Sequence, residues 1–403
     1  MYAEEPLVKV KYMKIVIASD SYKGCLSSAQ VGQAVSEGIR ECVPDCETVC
    51  VCVADGGEGT VEAVVANTGG DYVDVSVKGP LGKEVVARYG IALLRPSEQD
   101  SAGRDIPGDR VPTAIIEMAQ ASGLPLLRKD ELDPMAASTF GTGQMIMDAA
   151  SRGCRHFLVG LGGSATCDGG TGMLAALGVR FLDAAGNEVV PCGAAMASIC
   201  GIDVTGVPSC IRESRFTVAC DVDTPFCGPV GASYVFAPQK GATPEQVELL
   251  DKGLQSFAAV VERELGRSIA DLAGAGAAGG LGGAFAAFLD SRLRPGIEMV
   301  LDAASFDGTL QGADLVITGE GRIDGQTARG KAPYGVLCRA RKYGIRTFAF
   351  GGAVLPGAEE AGFDAVFRVS PEGMPLEQAI RPEVAAENLR RTAKEALKTL
   401  DIL

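Results

Sequence analysis

Short apolar runs that end in acids and glycines recur along the chain, and most are followed by segments with helical spacing. KIVIA, from Lys14, predicts a buried strand. The periodic run Val31 to Ile39 predicts a helix after it, capped by Ser27 or Ser28. TVCVCV runs into ADGGEGT, with a second helix expected from Thr60. This β–α–β opening favours a parallel sheet. From Asp71 to Leu94 the pattern becomes alternating, which suits antiparallel hairpins with a turn at Gly79-Pro80. Residues 95–110 are polar and rich in breakers and read as a mobile loop. AIIEMA, HFLVGLGG and FTVACDVD read as strands. GTGQMIMDAASRG and TPEQVELLDKGLQSFAAVVEREL read as helices, the second capped by Thr243. After about residue 290 the β–α rhythm returns in DLVITGEGRID, RTFAFGGAV and AVFRVSP, and a last helix runs from about Pro382 to Leu400.

The two ends therefore resemble each other and the middle differs. The predicted architecture is α/β: a discontinuous doubly wound, Rossmann-like parallel-sheet domain (1–76 plus 290–403) with a mixed α/β domain (77–289) inserted. The active site is expected in the cleft between them. The length of 403 residues agrees with more than one core. Residues 1–12 read as an extension, and no fixed-period repeat is visible.

Composition narrows the function. A net charge of −14 argues against nucleic acid and anionic membrane as partners. Thirteen scattered cysteines without a CxxC pair, and a single histidine, argue against a zinc site. They suit free thiols in a reducing cytoplasm, and the first twelve residues do not read as a signal peptide. Leu272 to Leu289 carries no charge but is mostly Gly and Ala, so a buried loop and helix is expected rather than a membrane span. A homo-oligomer is compatible with the chain, although no segment marks an interface.

Parallel sheets bind ligands at the carboxyl ends of their strands, and there the chain gathers acids, glycines and a few cations. Asp20, Ser21 and Lys23 follow the first strand, and Asp55, Gly56, Gly57, Glu58 and Gly59 the second. Gly162, Gly163, Ser164 and Asp168, then Asp221 and Asp223, follow the inserted strands. Glu320, Arg322 and Asp324 follow a late one, with Lys331 beyond. These are the materials of phosphoryl transfer: carboxylates for Mg²⁺, backbone amides for phosphate oxygens, and cations for developing charge. With one histidine, proton transfer would fall to Asp or Glu. His156 precedes a strand and reads as structural.

Several partial motifs are weaker. GQTARGKA ends in Ala332 where a P-loop needs Ser or Thr, although Lys331 remains a candidate for phosphate. GAGAAG (Gly274 to Gly279) fits a dinucleotide pattern but follows a helical segment, so close packing is expected. A nicotinamide-dependent oxidoreductase is the alternative it would imply. GLGGSAT is similar to the GLGSSA loop of galactokinase-type kinases, in an order of elements that does not match. Ser164 lacks the surroundings of a serine hydrolase.

Taken together, IVIASDSYKGCLSS, VADGGEGTVEA, GLGGSATCDGGTGMLAALG, ACDVDTPFCGPVGAS, FAPQKGAT, GAGAAGGLG and VITGEGRIDGQTARGKAPYGV strongly resemble the bacterial glycerate kinase family. They stand in the family's order, from Met13 nearly to the end. Ser19, Tyr22 and Cys167 depart from its usual Pro, Phe and Asn. The resemblance implies a two-domain α/β enzyme that transfers the γ-phosphoryl group of ATP, with Mg²⁺, to D-glycerate in the cytoplasm. The 2-phosphate is favoured over the 3-phosphate, and a related small hydroxy acid is the alternative acceptor. Under this reading Asp55 and Asp168 are unranked candidates for the general base, with Lys23 as a catalytic cation. Gly56, Gly57, Gly162, Gly163, Ser164 and Lys331 would bind phosphate. Asp20, Ser21 and Arg322 would bind substrate, and Asp223, Glu320 and Asp324 would hold Mg²⁺. The helix that begins near Met173 is expected to turn its positive end to the anion.

Overall fold

The computed structural model describes residues 13–95, 98–99, 105–106, 109–289 and 291–400. The expected extension at 1–12, and most of the loop at 95–110, lie outside the described residues. The chain divides into two compact units, Met1–Val53 with Ser305–Leu403, and Ala54–Ala304. The first division falls before the expected residue 76, because helix Thr60–Thr68 packs on strands Glu84–Leu94 and Val111–Glu117. The second falls after 290. Strand Arg292–Arg294 pairs with Arg215–Ala219, and helix Gly296–Ala303 packs on that same strand. Tertiary contact, not the rhythm of elements, decides both boundaries.

The first unit is built on five parallel strands. Lys14–Ser19 lies between Glu47–Cys50 and Leu315–Ile323, followed outward by Arg346–Val354 and Ala365–Arg368. By order of appearance within the unit the strands run 2-1-3-4-5, a doubly wound sheet whose order reverses beside its first strand. Ile15, Ile17, Leu315, Ile317, Phe348 and Phe350 form one core with helices Ser28–Cys42 and Pro382–Lys398. Helix Ala332–Lys342 packs on the Leu315–Ile323 and Arg346–Val354 strands as well, outside that core. Ser27 caps the first helix in a reciprocal box with Gln30.

The Leu315–Ile323 strand continues through GEGRI, which the sequence reading gave to a loop. Gly319, and Gly352 on the neighbouring strand, let the two backbones approach. A Cβ on Gly319 would stand 2.3 Å from the Phe350 carbonyl oxygen, so the ladder persists where larger residues would end it. Glu320 and Arg322 thereby share one face of a strand.

The second unit carries a six-stranded mixed sheet. Its order is Arg292–Arg294, Arg215–Ala219, His156–Gly160, Val111–Glu117, Glu84–Leu94 and Asp71–Lys78. The first four strands are parallel, and the last two form the antiparallel hairpin expected from the alternating pattern. Its core contains Phe157, Phe181, Phe216, Phe257 and Phe285. Helix Pro244–Leu265, capped by Thr243, lies against this core. The uncharged segment turns through left-handed Ala278, Gly279 and Gly280 into a largely buried helix that ends at Phe288, and no helix among the described residues is long and apolar enough to cross a membrane. All thirteen cysteines are free thiols.

Candidate active site

In the second unit the loop after Ala54 lies across the carboxyl ends of two parallel strands. Gly56 has φ +88°, and a Cβ there would stand 2.6 Å from Ala219 Cβ and 2.7 Å from Gly296 Cα. A Cβ on Gly160 would meet the Gly56 carbonyl oxygen at 2.3 Å, and one on Gly162 would meet Gly57 Cα at 2.8 Å. These glycines therefore serve backbone-on-backbone approach. The GAGAAG segment behaves in the same way: Gly169 N–H donates to the Gly279 carbonyl, and a Cβ on Gly279 would stand 2.1 Å from the Thr166 carbonyl oxygen. The dinucleotide motif is thus a packing surface for the Thr166–Gly170 turn.

Two helix starts that looked like phosphate sites already hold protein carboxylates. Glu117, at the end of its strand and 5% exposed, accepts from Val61 N–H at 2.8 Å, at the start of helix Thr60–Thr68. Burial pushes its pKa up, against that amide bond and a bond from Gln120. Asp168, fully buried, takes Thr139 N–H, the Thr139 hydroxyl and Gly172 N–H on Oδ2, and Gly170 N–H on Oδ1. Burial raises its pKa while these donors hold it down. The positive end of helix Thr171–Ala176 thus faces Asp168 rather than a ligand. Asp168 organises the loop, and its oxygens are taken.

A third carboxylate is of a different kind. Asp221, just past the Arg215–Ala219 strand, accepts from Gly296 N–H at 3.0 Å at the start of helix Gly296–Ala303. It is solvent-exposed as a residue. Even so, desolvation by the surrounding protein, opposed by the Gly296 bond and aided by the like charge of Asp55, pushes its pKa up to about 6. Asp55 is half-buried and accepts from Gly57 N–H at 3.1 Å. Asp55 thus adds a like charge to the desolvation of Asp221, and Asp223 is exposed two residues further on. Asp221 was visible in the sequence as half of DVD, but not as the partner of Asp55.

Beside this pair runs the loop Leu161–Ser164. Gly162 and Gly163 are exposed, Gly163 has φ +78°, and among the described residues no acceptor takes either amide hydrogen. Leu124 N–H donates to the Gly163 carbonyl and Ala165 N–H to that of Ser122, so the loop is pinned from the other side. Ser164 is 7% exposed, and its hydroxyl accepts from Lys240.

The first unit gathers its charges beside the point where the strand order reverses. Asp20 N–H donates to the Gly319 carbonyl, and Asp20 Oδ1 accepts from Ser21 N–H at 2.6 Å. Lys23 is exposed in the turn that follows, between Tyr22 and Leu26. The Tyr22 hydroxyl donates to the Phe350 carbonyl, and burial, with nearby Glu320, pushes its pKa far up. Lys331 Nζ lies 3.3 Å from Glu320 Oε2 and 3.8 Å from Asp324 Oδ1. Arg322 pairs with Asp324 at 2.9 Å, and the Thr327 hydroxyl donates to Glu320. Lys331 precedes helix Ala332–Lys342 as its cap residue, turned to carboxylates rather than standing inside a P-loop helix.

For a divalent cation the two regions differ. Glu320 and Asp324 are bonded to cations and to a hydroxyl. Asp221 is exposed, stands next to a like charge, and has one amide bond. Mg²⁺ commonly takes one or two carboxylates together with substrate phosphates, which suits Asp221 better than the Glu320 group. Among the described residues no cluster of three or more His, Cys, Asp or Glu is arranged to hold a metal.

The sequence profile described as the glycerate kinase family matches residues 15–401. The chain is 42% identical over 393 residues to a glycerate kinase of Bacillus subtilis (strain 168), covering 97% of this chain and 98% of that protein. It is equally 42% identical over 393 residues to the glycerate 2-kinase of Escherichia coli (strain K12), with the same coverage. A crystal structure from Salmonella typhimurium LT2, bearing the name glycerate kinase 2, superposes with a TM-score of 0.84 at 44% identity, covering 97% of this chain and 98% of that one.

Proposed function

This chain belongs to the glycerate kinase family, and on that premise we propose that it transfers the γ-phosphoryl group of ATP to D-glycerate and yields 2-phosphoglycerate. The observation that carries the reading is the pair of exposed glycines, Gly162 and Gly163, whose amides have no acceptor among the described residues, in the same unit as the like charges of Asp55 and Asp221. Open amides suit an anionic oxygen, and a carboxylate whose ionisation a neighbour opposes suits either proton uptake or a cation.

The roles follow from what each side chain already holds. Asp55 is the general base that accepts the hydroxyl proton, since the oxygens of Asp168 are engaged by four donors. Asp221, with Asp223 near it in sequence, would hold Mg²⁺ together with phosphate oxygens. When bound, the ion neutralises charge on the transferring group. Gly162, Gly163 and Ser164 bind phosphate, while Gly56 and Gly57 shape the loop that carries Asp55. In the first unit Lys23 and Lys331 offset phosphate charge, and Arg322 suits bidentate contact with the glycerate carboxylate. Asp20 and Ser21 would meet the substrate hydroxyls. Free thiols throughout and the acidic surface support a cytoplasmic enzyme of small molecules.

The test is incubation with Mg-ATP and D-glycerate, following ADP release and the phosphorus spectrum of the product. Glycerate-dependent ADP with a signal coupled to one proton supports phosphorylation at the 2-hydroxyl, and coupling to two protons assigns the 3-hydroxyl. ATP bound without turnover would mean a different acceptor.

A further inference from the structure

Lys240 is the charged residue of the FAPQKGAT motif, and the roles above do not use it. It ends the short turn Pro238–Lys240 and is 1% exposed. Its Nζ donates to Ser164 Oγ at 2.7 Å and to the Thr166 carbonyl at 2.6 Å. The nearest acid acting on it is Asp168, whose oxygens are engaged elsewhere, and the Cys167 thiol lies against it. A buried ammonium without an ion pair is costly, and burial pushes its pKa down. The Ser164 oxygen that accepts from Lys240 keeps its own proton to donate elsewhere. Gly162 and Gly163, with their open amides, immediately precede Ser164.

We propose that Lys240 is a positioning residue for an anionic oxygen of the ligand, phosphate or carboxylate, bound at Gly162–Ser164. Through Ser164 Oγ and the Thr166 carbonyl it holds the loop in shape, and it places a buried positive charge behind the serine hydroxyl. An anion at the loop adds counter-charge near a lysine that makes no ion pair among the described residues and feels Asp168 only at a distance. This rests on the reading of Gly162–Ser164 as the anion-binding loop.

The test uses the full chain and the variants K240M, S164A and K240M/S164A. Calorimetric titrations with ADP alone and with D-glycerate alone tell phosphate from carboxylate, and KM, kcat and the thermal midpoint are measured in parallel. The expected result is that K240M weakens one of the two ligands about tenfold, that S164A weakens the same ligand, and that the double variant is no worse than the poorer single one. Unchanged affinities with a lowered thermal midpoint would make Lys240 a core residue only and overturn the proposal, as would additive losses. Should K240M not fold, K240Q, which keeps hydrogen-bond donors without the charge, carries the same comparison. Silence in S164A would overturn the route through Ser164 Oγ and with it the proposal, whereas failure of the parent chain to bind either ADP or D-glycerate would overturn the anion-loop reading itself. Loss in S164A with silence in K240M would overturn only the role of Lys240.

Discussion

Around the end of strand Leu315–Ile323 in the first unit, acids are answered chiefly by side chains: Glu320 by Lys331 and Thr327, and Asp324 by Arg322. In the second unit each acid has a backbone amide at a helix start: Glu117 that of Val61, Asp168 that of Gly172, and Asp221 that of Gly296, with the Thr139 hydroxyl and Gln120 adding side-chain bonds. The difference lies in what can be exchanged. Lys331 and Arg322 are long side chains, 32% and 59% exposed, and can swing to an incoming anion at little cost. An amide at a helix start is fixed by the fold, and its carboxylate cannot leave without stranding a buried donor. The protein's own carboxylates are therefore held by exchangeable side chains in one unit and by preset geometry in the other.

The comparison can be broken by substitution. D55N should have the largest effect, lowering kcat by about 10²–10⁴-fold with no loss in thermal midpoint, as read by steady-state kinetics and calorimetry. D168N should act on the fold instead. It puts an amide NH₂ against buried donors and should cost about 2–4 kcal/mol in denaturant titration. If D168N kept full stability and lost only turnover, the division between Asp55 and Asp168 would be reversed. K331M should cost no more than about 0.5–1 kcal/mol, because its pair with Glu320 is partly solvated. It should nonetheless raise the KM for ATP, and a stability loss as large as that of D168N would erase the contrast drawn above.

Asp221 sharpens the comparison through pH. Its folded pKa, about 6, lies above the ordinary 3.8, so the folded state disfavours the charge. With both states protonated, at low pH, the group contributes nothing; as pH rises from about 4 to about 6 it progressively destabilises the fold. D221N, which keeps an oxygen for Gly296 N–H, should therefore gain stability relative to the parent as pH rises through that window, without added Mg²⁺. Paired melts at several pH values check this, and a difference that does not vary with pH would mean that the fold does not raise the Asp221 pKa.

Much of the fold was legible because apolar runs such as KIVIA, LVIT and TFAF are too short and too apolar for anything but buried strands. The unit boundaries were not, since only packing shows that Thr60–Thr68 belongs with the second sheet. For the site, the residue types at the strand ends were legible and their partners were not. The glycine loops before Thr60 and Thr171 read as anion cradles, yet their helix starts are met by carboxylates, Glu117 lying 56 residues from Val61. Asp168 is the similar case, four residues from Gly172 and 29 from Thr139. A turn that binds an external anion and one that binds an internal carboxylate have the same local sequence. Lys240 was hidden for the opposite reason: a lysine in a polar motif reads as exposed, and nothing nearby announces Ser164, 76 positions earlier.

The place of strand Lys14–Ser19 between Glu47–Cys50 and Leu315–Ile323 has a consequence for how the protein is made. Ile15 pairs with Leu315, and Lys14 N–H donates to Asp314 across a separation of 300 residues. At ribosomal speeds of about 5–20 residues per second, that strand waits roughly 15–60 s for its neighbour to emerge. All of Ala54–Ala304 is synthesised in that interval as one uninterrupted stretch. The order of translation thus makes the whole of the second unit while the strand that contains KIVIA still lacks its Leu315–Ile323 neighbour, and this apolar run keeps an unpaired edge until that strand emerges.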